Sequence, residues 1–321
     1  MEIDAAEVVR RLSSRLKMRH LTLLLQIEQR GSLTRVAEHM ASSQPAVTNA
    51  LAELESMFGA PLFDRSSRGM QPTSLGAVVL ARAQAMVNDL DHLARDMQAV
   101  ASGHAAHLHI GVIPFVSGQI LTAALKRMRA GMAQRSTVTI HEGTSDQLIL
   151  QLQNHTVDLV IGRASSAVDV NHAAFEVLYR QQPRLIASRR LAAALARSPL
   201  DWNKLVDLHW ILGAPNTAMR EQVADLFLAA GTVPPVPVVE SYSSKVIGEM
   251  IASSERAVSI VPADIAEELV RVAGVAVVPY SFEWTLAPIA LFTRSESSRT
   301  QAQNVFVEAL RETCKEMRHP W

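Results

Sequence analysis

The chain has 321 residues, of which 48% are apolar and 19% charged, and its Lys+Arg 31 balance Asp+Glu 31. At roughly 100–200 residues per domain this predicts two or three compact units, and the apolar fraction rules out disorder as the main state. No stretch approaches the ~18 consecutive apolar residues of a membrane-spanning helix, and the lone Cys314 excludes an internal disulfide framework or a cysteine-rich zinc module. The apolar run 21–25 is short and is flanked by Arg19, His20, Glu28 and Arg30. The N-terminal residues lack the basic, apolar, small-residue order of a signal peptide. A bacterial-type cytoplasm is the expected compartment.

The net charge does not favour nucleic acid, but its distribution is uneven. Arg10, Arg11, Arg15, Lys17, Arg19, Arg30 and Arg35 are opposed only by Glu28. A local basic face binds phosphates even on a neutral protein; a solvated helix surface has the same composition. Residues 18–72 read as a small helical unit. A first helix over 18–29 stops at Gly31. Ser32 is placed to cap a second over 33–40. Ser42 or Ser43 caps a third, with Gln44 and Pro45 in its first turn, running to Phe58 and ending at Gly59. Residues 61–72 read as irregular. Residues 74–102 form one long helical pattern in which Val79, Ala83, Met86, Leu90, Leu93, Met97 and Val100 are spaced by 4 and 3 in turn. That is the repeat of a seam between two helices, more than of an ordinary amphipathic helix.

From residue 107 short strands and helices alternate. Strands are predicted over 108–113, 137–141 and 157–162, with helices over 117–130 and 146–154 between them. The second half repeats the theme: strands over 185–188, 209–212, 236–240 and 257–261, with helices over 217–230 and 243–253. Strands over 275–278 and 286–292 and a helix over 298–317 follow. Such alternation predicts a mostly parallel sheet with helices on its faces. Pro234, Pro235 and Pro237 mark a loop.

Two short helices joined by a tight turn at 41–43 make a helix-turn-helix. Val36, Ala37, Met40, Val47, Leu51 and Leu54 are its expected inward face. Gln44, Thr48 and Asn49 point outward; Gln and Asn bond adenine bidentately, and Thr bonds base or phosphate. A plain three-helix bundle shares the pattern. Here the sequence resembles the DNA-binding domain of LysR-type transcriptional regulators, in Ala37, Ser43-Gln-Pro-Ala-Val-Thr48, Leu51, Leu54-Glu55, Phe58-Gly59, Leu62-Phe63-Asp64-Arg65 and Pro72-Thr-Ser-Leu-Gly76. The opening Leu16-Lys-Met-Arg-His-Leu21 resembles the branch of galactose-binding-protein and protocatechuate-pathway regulators. The resemblance implies a winged helix-turn-helix over 1–73 with 61–72 as the wing, a linker and dimerisation helix over 74–104, and an effector-binding domain over 105–321. The family's usual serine is Thr48 here, whose methyl suits a thymine methyl, and Asn49 stands where a basic residue or Gln is common. By this resemblance Gln44 and Asn49 read bases, Arg35, Arg65 and Arg68 position the protein, and Ser43, Pro45 and Thr48 complete the interface.

The resemblance also implies a two-lobed periplasmic-binding-protein-like module: lobe one at 105–165 and 270–321, lobe two at 166–269, with hinges at 164–168 and 269–274. Open sheets bind ligands at the carboxyl ends of their strands. Pro114, Ser117, Thr144, Ser145 and Arg163 lie there in lobe one, and Asn216 and Thr217 in lobe two. Free N–H groups at helix starts and the Arg163 guanidinium suit a carboxylate. Helix capping for the hydroxyls and a salt bridge for Arg163 are the simpler alternatives. The expectation is an α/β effector-responsive regulator, not an enzyme, with no cofactor and no metal. Its effector is an organic anion, and its partners are double-stranded DNA, RNA polymerase and further copies of itself as a homodimer assembling to a homotetramer, with no membrane. His104, His107 and His109 read as a solvated linker, and Cys314 as an idle thiol. Two other classes stay open at this point: a cytoplasmic small-molecule binding protein or enzyme whose N-terminal helices only dimerise, and an architectural DNA binder. The role of 2–15 is likewise open.

Overall fold

The computed structural model describes residues 5–66, 69–101, 104–132, 135–164, 173–215, 217–282, 284–294 and 299–317. It divides into two units, Met1–Ala101 with Gln153–Thr156, and Ser102–Leu152 with Val157–Trp321.

The first unit opens with α1 (Ala5–Arg15), the segment the sequence left open; it is separate from α2 (Met18–Arg30). Gly31, in the left-handed region at φ 63°, ends α2 and returns its N–H to the Ile27 carbonyl. His20, on the first turn of α2, accepts the Lys17 N–H at its Nδ1 (3.2 Å). Burial, then the neighbouring Arg19, lowers its pKa, which favours the neutral ring that this bond needs. Next come α3 (Leu33–His39) and α4 (Gln44–Phe58), joined by a tight turn in which Ala41 takes φ 49°. Ser32 precedes α3 without a side-chain cap, whereas the Ser43 hydroxyl accepts the Ala46 N–H and caps α4. Val36, Ala37, Val47, Leu51 and Leu54 are buried with Leu24 and Ile27, as the inward face requires. Met40 is not: it is 38% exposed, because α3 ends one residue earlier and the chain turns out of the helix there.

Residues 61–72 are not irregular. They hold the antiparallel pair β1 (Phe63–Ser66) and β2 (Gly69–Pro72), with Arg65 opposite Met70. Phe63 and Met70 are buried, while Asp64, Arg65, Ser66 and Gln71 are exposed. α5 (Ser74–Ala101) follows. Thr73 ties its start to the base of the hairpin by donating from Oγ1 to the Pro61 carbonyl (3.0 Å) and accepting the Gly76 N–H (2.9 Å). A Cβ on Gly76 would lie 1.9 Å from the Leu62 carbonyl oxygen. Gly76→Ala is therefore expected to lower the free energy of unfolding by about 1–3 kcal/mol, the usual cost of overpacking; urea denaturation followed by circular dichroism checks it.

The second unit runs β3 (His104–Val112), α6 (Gly118–Gly131), β4 (Arg135–Glu142), α7 (Ser145–Gln153), β5 (Leu159–Arg163), β6 (Ala173–Tyr179) and β7 (Pro183–Ala187). It continues through α8 (Arg189–Leu195), α9 (Trp202–Leu205), β8 (His209–Leu212), α10 (Ala218–Ala229), β9 (Val239–Glu240), α11 (Ser244–Ala252) and β10 (Ala257–Pro262). Then follow α12 (Ala263–Val272), β11 (Ala276–Val277), β12 (Ile289–Arg294) and α13 (Gln301–Met317). The strands form two five-stranded sheets, ordered β4-β3-β5-β12-β6 and β11-β7-β10-β8-β9. Both are mixed rather than mostly parallel. β3 pairs in parallel with β4 and β5, and β8 with β9 and β10; β12 runs antiparallel to both its neighbours, and so does β7.

This topology moves the lobe limits. β6 hydrogen-bonds to β12 and so belongs to lobe one, whereas β11 pairs with β7 and so belongs to lobe two. The described crossings therefore lie between β6 and β7 and between β11 and β12, not at 164–168 and 269–274. Of the former, residues 165–168 lie outside the described residues; the latter falls at the end of α12, within lobe two. The strand expected over 236–240 shortens to Val239–Glu240, because Pro234, Pro235 and Pro237 have no N–H for a ladder. Lobe one closes on Leu108, Ile110, Leu148, Val160, Phe292 and Phe306. Lobe two packs Trp210, with Nε1 donating to the Leu205 carbonyl (2.7 Å), edge-on to Phe227.

Candidate DNA interface and effector site

The first turn of α4 is an exposed polar surface. Gln44, Pro45 and Asn49 are exposed and Thr48 is half-buried. Gln44 Nε2 donates to Thr48 Oγ1 (3.0 Å), and that hydroxyl donates to the Gln44 carbonyl (3.0 Å). The Thr48 hydroxyl is thus held inside the helix, which orients the Gln44 amide. Ser43 is spent on the cap, as already described, so its role is to hold the helix start. Glu55, farther along α4, accepts the N–H groups of Leu62 (2.8 Å) and Phe63 (3.3 Å) at Oε1. That carboxylate fixes the base of the β1–β2 hairpin against α4. Arg65 on β1 and Arg35 on α3 are exposed; Arg68 lies outside the described residues.

On α5, Val79 is half-buried and Ala83 is buried in the first unit. From there the repeat emerges from the core: Met86, Leu90, Leu93, Met97 and Val100 are 44–67% exposed. A stripe of large apolar side chains left open along one helix is unusual for a surface that stays in water.

In the second unit, the strand-end residues have mixed fates. Pro114 is half-buried after β3. Ser117 is buried (6% exposed) at the start of α6, and its side chain makes no capping bond. Thr144 caps α7: its Oγ1 accepts the Gln147 N–H (3.4 Å) and its own N–H donates to Gln147 Oε1 (3.1 Å). The Ser145 hydroxyl accepts the Arg163 backbone N–H (3.1 Å). Thr217 donates from Oγ1 to the Ala214 carbonyl (3.2 Å) rather than capping α10, and Asn216 lies outside the described residues.

Arg163 is buried, and its guanidinium is engaged. It donates to the Ala287 carbonyl and to Gln181 Oε1, both at 2.7 Å. Gln181, also buried, donates from Nε2 to the Phe115 carbonyl (3.0 Å) and to both carboxylate oxygens of Asp264 (2.9 and 2.8 Å). Gln181 thus bridges a cation of lobe one to a carboxylate of lobe two, on the first crossing segment. Desolvation brings the Arg163 pKa down to about 10, so it stays charged at neutral pH. Desolvation raises the Asp264 carboxyl above its ordinary range, against the lowering effect of the Gln181 bond. The polar network replaces the simple salt bridge that was the alternative reading of Arg163.

Beside this network lies a cavity of about 820 Å³, walled by Ser117 and Ile120 of α6, Val177 and Tyr179 of β6, Arg180 to Gln182, and Asp264 and Glu267 of α12. Of the effector-site residues expected from the sequence, Ser117 alone is among its described lining. Burial pushes the Tyr179 phenol well above its ordinary value. Cys314 on α13 is buried and also lines the cavity. The histidines are not a loose linker: His107 and His109, two apart on β3, share one face and stack with ring centroids 4.3 Å apart, and His109 Nδ1 lies 3.0 Å from His141 Nε2. The His104 side chain lies outside the described residues.

A bacterial regulatory helix-turn-helix model of the lysR family matches residues 18–77, and a LysR substrate binding domain model matches 101–315, most of the chain. The chain belongs to the LysR family. This LysR protein is a transcriptional regulator with a DNA-binding helix-turn-helix and an effector-binding domain, not an enzyme. It is 25% identical over 300 residues to the HTH-type transcriptional regulator GbpR of Azospirillum brasilense, covering 94% of this chain and 87% of that one. It is 26% identical over 311 residues to the regulator PcaQ of Agrobacterium fabrum, covering 95% and 97%. The crystal structure of full-length CbnR with its target DNA has the same fold, at a TM-score of 0.60 and 20% identity, covering 93% of this chain and 100% of that one. Among the described residues no helix is long and apolar enough to cross a membrane. Sequence reading of this LysR chain missed Gln181 and Asp264. Neither sits in a motif, and they meet only through the chain crossing between the lobes.

Proposed function

We propose that this LysR-type regulator reads a promoter half-site through Gln44 and Asn49. The Thr48 methyl meets a thymine methyl, Ser43 and Pro45 set the helix start, and Arg35, Arg65 and Arg68 hold phosphates or the minor groove. The observation that carries this is the exposed, Ser43-capped first turn of α4, locked by Glu55 to the hairpin. The division is DNA-binding region 1–73, linker 74–104 and effector region 105–321, the last with the lobe limits redrawn above. The apolar stripe on α5 supports a homodimer, because two half-sites one helical turn apart need two reading helices. Two dimers then make a homotetramer, which acts with RNA polymerase on DNA in the cytoplasm. The effector is an organic anion whose carboxylate is held between the lobes by Ser117, Thr217 and Asn216, with Pro114, Thr144, Ser145 and Arg163 shaping the site. The Ser117 hydroxyl, which makes no capping bond at the start of α6, supports this. Unequal binding to the two lobe arrangements changes the geometry of the bound DNA.

Fluorescence anisotropy on the DNA upstream of the protein's own gene, against scrambled DNA over a salt series, tests the reading. Gln44→Ala and Asn49→Ala are each expected to cost about 1–3 kcal/mol of preference for the upstream site, with the non-specific salt slope unchanged. Equal binding of wild type and both variants to the two DNAs would refute the assignment. For the effector, calorimetry that finds tight binding of neutral ligands alone would refute the anion.

A further inference from the structure

Three histidines meet on one face of the lobe-one sheet. His107 and His109 stand on β3, and parallel pairing with β4 sets His141 opposite Gly111, diagonally beside His109. The His107 and His109 rings stack at 4.3 Å, the His109 and His141 centroids are 5.3 Å apart, and His109 Nδ1 lies 3.0 Å from His141 Nε2. His107 Nε2 meets Thr139 Oγ1 at 2.8 Å. His109 is 5% exposed, and His107 and His141 are half-buried. The charged groups around the row are set by the neighbouring elements. Asp158, beside His109 at the start of β5, accepts the His109 backbone N–H at Oδ2 (2.8 Å) and the Gln303 amide at Oδ1 (3.0 Å), with Arg294 of β12 at 3.8 Å. α7 lays Leu148 against Gly111 on this face, and its one charged residue, Asp146, is in its first turn. Glu142, next to His141 on β4, points to the opposite face. A bond between two imidazole nitrogens needs one donor and one acceptor. A neutral pair supplies both, and so does a pair that shares one proton. With both rings protonated two N–H groups oppose each other, and the stacked His107 adds to the repulsion.

We infer that the row His107, His109 and His141 is a proton switch in lobe one, through which acidity loosens β4 from β3. Histidine is the side chain whose ordinary charge change falls in the physiological range, and a mostly buried row of three in contact takes up its protons as one coupled group. β4 is at the end of the strand order, with β3 as its one strand partner among the described residues. Repulsion between the rings therefore acts on a strand that no second neighbour holds in place. The switch is independent of where the effector sits, and it gives the regulator a second input, the proton.

The test is amide hydrogen exchange of the full chain at about pH 7.5 and about pH 5.5, either side of the ordinary histidine value of ~6.5, corrected for the intrinsic pH dependence of exchange. Protection of the β4 amides, taken relative to β10 of lobe two, is expected to fall at least about tenfold at the lower pH. His141→Gln and His107→Gln keep a hydrogen-bonding side chain but take up no proton, and each is expected to remove most of that fall. The other histidines, His20 among them, stay in both variants, so their own titration cancels in the comparison. Proton NMR of the wild-type rings decides the matter even where a variant fails to fold: the three are expected to titrate in coupled steps. Unchanged relative protection of β4 overturns the inference. So does an equal fall in wild type and both variants, and so do three rings that titrate independently at the ordinary value.

Discussion

Leu90→Lys is expected to abolish cooperative operator binding and to lower the apparent affinity for a two-half-site DNA at least tenfold. Leu90 sits in the middle of the exposed stripe on α5, 44% exposed between Met86 and Leu93. In a helix pair each such side chain enters a hole formed by four residues of the facing helix, and a lysine there puts a charge at a position that must be dry. Burying an apolar side chain of this size contributes about 1.5–3 kcal/mol, and in a symmetric dimer one substitution removes it twice. The solvent-side position means that the folded first unit loses no packing, so the effect falls on assembly. Sedimentation shows the dimer lost, and anisotropy on one half-site against two shows cooperativity lost while single-site binding survives. Full two-site affinity in the variant would end the seam reading of α5.

Gln181→Leu is expected to destabilise the effector region by about 3–5 kcal/mol, because it leaves a buried cation and a mostly buried carboxylate without their common partner. Among the described residues the Arg163 side chain then keeps only its bond to the Ala287 carbonyl, and Asp264 loses both contacts from Gln181. Thermal unfolding measures the loss. Gln181→Glu separates charge from shape. It sets a carboxylate beside Arg163, which is favourable, and beside Asp264, which is not. The Asp264 pKa is already raised on folding, so its contribution is fully present below the ordinary carboxylate value of ~3.9 and is lost as pH rises through the folded value. A second carboxylate raises it further. The glutamate variant should therefore be closer to wild type at acidic than at neutral pH, and the leucine variant, which raises Asp264 only through the lost Gln181 bond, should show the same trend more weakly.

The helix-turn-helix was legible because its determinants are local. Ser43 at a cap, Pro45 in a first turn, Gly31 and Gly59 at helix ends and the apolar spacing of Val36 to Leu54 act within a few residues of one another. The same holds for the exposure of Gln44 and Asn49, which follows from helical periodicity once the apolar face is known. Met40 departed because it stands at a helix end, where periodicity no longer sets direction. The seam on α5 was visible as a repeat, although its first part, at Val79 and Ala83, serves the core of the first unit.

The effector region was read less well, for a physical reason. β6 is an edge strand with Phe175 and Val177 exposed, so its pattern lacks a clean apolar face. Its pairing with β12 joins residues more than a hundred positions apart, and no local signal encodes that choice. Where the chain crosses between lobes was decided by this pairing, and the crossing in turn placed Gln181 between Arg163 and Asp264. By itself the sequence determined the family, the helix-turn-helix and most of the strands and helices of lobe one, because caps, turns and periodic burial are short-range; it missed β1, β2, β6, α8, α9 and α12. Only the tertiary structure decided which strands share a sheet, which polar groups meet in the hinge and which charges line the cavity beside it. Those depend on contacts whose energy appears only after distant segments have been brought together.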